Sequence, residues 1–234
     1  MSAKPFALPV ILAAIGAAGV SAAKEAETPR FLTADQVQAA TRLAPPPPES
    51  SDRQKAELAE LHRLERDSTP ERRAQASADG ANETASMFAP ALGPGFDLSK
   101  LPATAKMLGD VQHEEKLAAS AGKAFWRRPR PFVDDPTLQS CSKTEKPLTS
   151  YPSGHSTMAW SMATVLAAAW PAKAPAIMAR AADYAESRVI CGVHYRSDIE
   201  AGKRLGEQVG HDLLANPAFQ AEEAAAAQEL KSVQ

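Results

Sequence analysis

Apolar residues recur through most of this chain at three- and four-residue spacing, while the alternation that marks a half-buried strand is missing. The spacing predicts a capped helix running from Ser51 through Leu58, Leu61 and Leu64. Further helices are predicted over residues 70–87, 104–121, 156–170, 172–189 and 197–216, with a frayed one over 217–231. β-Branched residues are few and alanine is abundant, so the predicted fold class is all-α, a single-domain bundle of about six helices. Two connections, 125–152 and 191–196, are rich in polar and basic residues. A loop longer than about 12–15 residues in a compact domain is usually functional or disordered, and here the charge density favours function.

The N-terminal part follows other rules. Lys4, an apolar and small-residue run from Pro5 to Val20, and Ser21-Ala22-Ala23 form a secretory signal pattern. The alternative, a membrane anchor, is disfavoured because the run falls short of the roughly 20 residues a spanning helix needs and contains two prolines. Residues 1–22 are therefore assigned to a signal peptide and 23–50 to an arm containing Pro45 to Pro48, which favours polyproline II. Residues 51–234 form the expected catalytic domain. The Ala-rich tail over 222–230 fits a solvated amphipathic helix or an oligomer contact, which leaves a homo-oligomer open.

With 234 residues, 44% of them hydrophobic, the chain can bury one full core. A net charge of -2 gives no global basic field, which argues against nucleic acid or an anionic membrane surface as partner. Cys141 and Cys191 are a candidate disulfide in an oxidising compartment, with two buried thiols as the alternative. Neither has the neighbours of a metal site.

Three segments carry candidate chemistry. Lys123-Ala-Phe-Trp-Arg-Arg-Pro-Arg130-Pro131 packs four cations among aromatics and prolines. Taken alone this could be a solvated face, but arginine on a proline-stiffened backbone also suits bidentate phosphate binding. Tyr151-Pro152-Ser153-Gly154-His155 precedes a helical run, so Gly154 and His155 fall at a helix N-terminus whose free amides and dipole favour an anion. Ser153 is placed to cap that helix or to donate to a ligand. Ser187-Arg188 leads to His194 and, four residues on, Asp198, with Ser197 to Glu200 fitting a capping box. A carboxylate there can fix the imidazole tautomer and turn the other nitrogen into a nucleophile. By itself, His194 bonded to a helix cap explains the same spacing. The three together supply a nucleophile, an orienting acid, a second histidine and several anion donors.

This set resembles the signature of the type 2 phosphatidic acid phosphatase (PAP2) superfamily: Lys-x6-Arg-Pro, then Pro-Ser-Gly-His, then Ser-Arg-x5-His-x3-Asp. Within it the chain looks most like the class A bacterial non-specific acid phosphatases, with Thr149 and Ser156 replacing a glycine and a threonine of their Gly-Ser-Tyr-Pro-Ser-Gly-His-Thr segment. The resemblance spans Lys123 to Asp198. It implies a bundle of the PAP2/haloperoxidase type and a secreted or periplasmic acid phosphatase acting on small phosphate monoesters. No cofactor, no metal and no membrane association of the mature form are implied, and phosphotransfer to an acceptor alcohol is an expected side activity. Carried over by position, Lys123, Arg130, Arg188, Ser153 and the Gly154 amide bind phosphoryl oxygens. His194 attacks phosphorus, Asp198 orients it, and His155 protonates the leaving alcohol. The rival readings are a vanadium-dependent haloperoxidase, which peroxide-dependent halide oxidation would reveal, and a non-catalytic exported phosphate-binding protein. Phe125, Trp126 and Tyr151 are either an aromatic wall for the leaving group or packing anchors.

Overall fold

The computed structural model describes residues 27–38 and 41–233, so the expected signal segment lies outside the described residues. Among the described residues the regular elements are helices and no strand occurs. In chain order they are α1 (Ala34–Val37), α2 (Asp52–Asp67), α3 (Pro70–Ala81), α4 (Ala89–Leu92), α5 (Pro102–Trp126), α6 (Pro131–Asp134), α7 (Gly154–Ala169), α8 (Ala174–Ile190), α9 (Arg196–Leu214) and α10 (Pro217–Leu230). No described helix is long and apolar enough to cross a membrane.

Local chemistry explains where the helices start and stop. Ser51 Oγ accepts from Gln54 N at 3.2 Å, the predicted cap of α2. Pro70, Pro102 and Pro217 occupy first-turn positions whose N–H groups would have no partner in any case. The helix predicted over 70–87 ends early. Asn82 leaves helical geometry, and its side-chain Oδ1 accepts from the Thr84 and Ser86 hydroxyls at 2.8 and 3.1 Å, local bonds that compete with the helix. In contrast, α5 runs past the predicted end at residue 121 and carries Lys123 on its last turn.

Helix α7 is the axis of the bundle. Twelve of its 16 residues are buried, and α5, α8, α9 and α10 pack around it. The approach of α9 depends on Gly202, Gly206 and Gly210, spaced four apart on one helix face. A Cβ at Gly202 would lie 2.6 Å from the Ser153 carbonyl, and one at Gly206 2.5 Å from that of Thr157. Glycine is what lets the two backbones touch.

Two segments are more firmly attached than their sequences predicted. The N-terminal arm buries Leu32, Val37 and Leu43, and its Arg30 and Phe31 amides donate to Glu114 Oε1 at 2.5 and 3.0 Å. The tail helix α10 is not frayed or solvated on all sides. It buries Phe219, Ala226 and Leu230, sets Phe219 edge-on to Phe31 at 5.3 Å, and uses Glu229 to cap α5 through the amides of Ala103 and Thr104. Cys141 and Cys191 form a disulfide with Cα atoms 4.9 Å apart, within the range such a bridge spans.

Candidate active site

The eight residues singled out in the sequence converge at one end of the bundle. Lys123 comes from the C-terminus of α5, Arg188 from that of α8, and Ser153, Gly154 and His155 from the N-terminus of α7. His194 sits in the turn between α8 and α9, and Asp198 in the first turn of α9. The α5 helix ends at Arg127 in left-handed geometry, after which prolines keep the chain extended through Arg130. Period-two geometry then turns Arg128 and Arg130 to the same side, inward, while Arg127 stays exposed.

His194 is fully buried. Arg130 Nη1 lies 3.0 Å from its Nε2, and Asp198 Oδ2 lies 3.4 Å from its Nδ1. A guanidinium can only donate, so Nε2 is the acceptor and the ring proton sits on Nδ1, toward Asp198. Asp198 is also fully buried and accepts from Arg128 Nη1 at 2.7 Å, Ser150 Oγ at 2.6 Å and the Tyr195 amide at 2.8 Å. Burial pushes its carboxyl up, and Arg128 is the strongest of the groups drawing it back. The expected capping box from Ser197 to Glu200 does not form. The cap is two residues earlier, at Tyr195, because Asp198 reaches back to the Tyr195 amide while Ser197 Oγ donates to Glu57 Oε2 at 2.7 Å. Arg128 joins this cluster, donating to Ser197 Oγ at 2.7 Å and stacking 4.2 Å over the Tyr195 ring.

On the other side of His194 lies a cluster of cations. Arg130 and Arg188 are buried, and the Arg188 Nε has no hydrogen-bond partner. Both guanidiniums pair with the carboxylate of Glu145, Arg130 at 2.5 Å. Lys123 Nζ lies so near the α7 N-terminus that a Cβ on Gly154 would meet it at 2.8 Å. Burial, then the neighbouring Arg130, pulls the Lys123 ammonium below its ordinary range. Ser153 caps α7, its Oγ accepting from the Ser156 amide at 3.3 Å. His155 Nε2 faces the Gly80 carbonyl at 3.1 Å and Glu83 Oε1 at 3.2 Å, and its ring stacks on Tyr184. Burial, with Arg188 beside it, holds the His155 imidazole well below its usual range, and burial with Arg130 does the same to His194.

A cavity of about 220 Å³ opens beside His155 and Lys123, walled by Glu83, Gln112, Glu115 and Met158 among others. Burial pushes the Glu115 carboxyl well up. Phe125, Trp126 and Tyr151 do not line it. Tyr151 is buried under the arm with its hydroxyl on the Ala44 carbonyl at 2.6 Å, Trp126 packs edge-on against it, and Phe125 is 63% exposed.

Sequence reasoning left out four residues that matter to this geometry. Arg128 carried a usable signal, its spacing of two from Arg130 in an extended run. Glu57, Glu145 and Gly80 carried none, since each acts only through a tertiary contact: a Cβ on Gly80 would collide with Arg188 Nη1 at 2.2 Å.

An all-α bundle with these residues gathered at one end matches known proteins in the same region. The sequence profile of the PAP2 superfamily matches residues 115–211. A non-specific acid phosphatase of Providencia stuartii is 31% identical over 186 residues, covering 76% of this chain and 75% of that protein. This chain therefore belongs to the PAP2 superfamily. An acid phosphatase of Zymomonas mobilis subsp. mobilis is 34% identical over 166 residues, 68% of this chain and 63% of that protein. A non-specific acid phosphatase of Salmonella typhi is 33% identical over 147 residues, 58% of this chain and 56% of that protein. The chain thus spans somewhat under two thirds of the last two relatives. Among solved structures, a transmembrane PAP2-type phosphatidylglycerolphosphate phosphatase from Bacillus subtilis superposes with a TM-score of 0.53 at 19% identity, covering 75% of this chain and 88% of that one. That likeness concerns the fold alone.

Proposed function

We propose that this protein is a secreted or periplasmic acid phosphatase that hydrolyses small phosphate monoesters through a phosphohistidine on His194, with no metal. The observation that carries this reading is the state of the His194 ring: its proton faces Asp198, and its Nε2 lone pair faces the cluster of Arg130, Arg188 and Lys123. The relatives named acid phosphatase support the reaction class.

The phosphoryl oxygens lie against Lys123, Arg130, Arg188, Ser153 and the Gly154 amide, which together neutralise charge that other phosphoryl-transfer enzymes give to magnesium. Nε2 attacks phosphorus in line as the ester P–O bond breaks. The departing alkoxide takes a proton from His155, and an N–P bond remains on His194. Water then gives its proton back to His155 and attacks phosphorus, the N–P bond breaks, and phosphate leaves. Asp198 stays ionised and balances the positive charge on the ring during both steps. An acceptor alcohol in place of water gives phosphotransfer.

The depressed histidines predict an acidic optimum. His194 remains unprotonated, hence nucleophilic, well below neutral pH, while His155 holds its proton only in that same range. The bell-shaped profile belongs to the pair. Hydrolysis of p-nitrophenyl phosphate in excess EDTA tests the reading. Full activity is expected; loss on chelation overturns the metal-free mechanism, and no turnover under any condition overturns the phosphatase.

A further inference from the structure

Glu145 stands at the centre of this site, and the mechanism has no use for it. Its Oε2 lies 2.5 Å from Arg130 Nη2, and its Oε1 accepts from Arg188 Nη2. The two guanidinium side chains are 2% and 3% exposed, whereas that of Glu145 is 22% exposed, so the carboxylate covers the cations on their solvent side. It also lines the cavity beside Lys123 and His155. A carboxylate presents two oxygens spaced much like two oxygens of a phosphoryl group, and a guanidinium fork binds either one.

We propose that Glu145 is an internal competitor for the phosphoryl site, a carboxylate that holds Arg130 and Arg188 in the free enzyme and that the incoming phosphate group displaces. This rests on the reading that those two arginines bind phosphoryl oxygens. The competitor is tethered at close range. The Cys141–Cys191 disulfide anchors the segment before it, and Arg130 holds the segment after it through Nε to the Lys146 carbonyl at 3.1 Å and its amide to the Pro147 carbonyl at 2.9 Å. A tethered rival acts at a fixed effective concentration, so it divides the affinity of every ligand by the same factor. A monoanion that merely replaces one pair of oxygens with another gains little from the exchange. A phosphoryl dianion brings a further oxygen and charge toward Lys123 and the α7 N-terminus, and so wins. Glu145 therefore sets the strength of oxyanion binding, Lys123 and the α7 N-terminus set its selectivity, and the return of Glu145 helps expel product phosphate.

Calorimetric titration of inorganic phosphate into the full chain decides the matter. The Kd for phosphate is expected to fall at least tenfold in Glu145→Gln, and the KM for p-nitrophenyl phosphate to fall with it. Glu145→Asp, one methylene shorter and able to reach only one arginine, is expected between the two. A folded Glu145→Gln protein that binds phosphate no more tightly than the wild type overturns the proposal. Should Glu145→Gln lose its cooperative unfolding transition, an unchanged Kd in Glu145→Asp overturns it instead. Wild-type hydrolysis with unaltered phosphate binding in the variants removes the competitor alone. A wild type that neither binds phosphate nor hydrolyses removes the phosphatase reading, and this proposal with it.

Discussion

The two nitrogens of His194 face two differently built regions. Beyond Nδ1, Asp198 accepts hydrogen bonds from four donors, Arg128 is shared among Asp198, Glu57 and Ser197, and all of these groups are nearly or fully buried. Beyond Nε2, Arg130 and Arg188 share the one partly exposed carboxylate of Glu145, Lys123 lies in the same cluster, and a buried Arg188 nitrogen has no partner. The first region is closed: its carboxylates are held by donors of the fold, and only Arg128 Nε among its cationic nitrogens, like Arg188 Nε across the ring, goes without a partner. The second is left short of negative charge, as a site must be if a ligand is to bring that charge in. A buried polar cluster satisfied from within rigidifies, whereas one that is under-satisfied is poised for exchange.

The largest effect expected from breaking this contrast is at the shared residue. His194→Ala should lower kcat by at least ~10⁴-fold and abolish acid-quenched phosphoenzyme, while phosphate binding stays within a few-fold of wild type. Retained turnover would falsify the nucleophile assignment. Next comes the closed side. Arg128→Met leaves Asp198 buried without its cation and Glu57 with Arg53 alone, and chemical unfolding should show a loss of about 3–5 kcal/mol. Arg128→Lys should recover part of that stability yet keep kcat low at an unchanged KM, because an ammonium cannot reproduce the fork that aligns Asp198. If kcat and KM change together, Arg128 belongs to the anion cluster rather than to the orienting one. The smallest effect is on the open side, at His155. The proposed mechanism requires its proton, and its folded-state value lies below the ordinary 6.5, so the alkaline limb of kcat/KM should fall below that pH. Glu83→Gln removes the carboxylate 3.2 Å from His155 Nε2 and should move that limb further down while leaving the acid limb in place. A limb that stays put would detach Glu83 from the proton transfer.

The contrast also marks what the sequence could show. Helical spacing gave the all-α class, and the signature residues could be named because each occupies a fixed offset from a proline, a glycine or a helix start. What escaped are the partners that close the first region and cover the second. Glu57 lies 71 positions from Arg128, and Glu145 sits 43 from Arg188, distances at which only the packed bundle decides the neighbour. Helix ends failed for a related reason. Ser197 has the residue type of a cap but is claimed by Glu57, and α10 resembles a solvated helix by composition although its small residues let it lie close against α5 and α7. In each case a tertiary contact outweighed a sound local preference.

The glycines at 202, 206 and 210 give this chain an unusual relation to protein engineering. Replacing a mid-helix glycine by alanine is a standard route to thermostability, since helix propensity improves by about 1 kcal/mol. On α9 each added methyl would stand only 2.5–2.6 Å from atoms of α7 or of its cap Ser153 and wedge the helices apart. Because α9 begins just beyond His194 and α7 carries His155 on its first turn, the missing methyls act as a ruler between the two histidines. A variant chosen for a better helix would, in this protein, be chosen for a misaligned reaction.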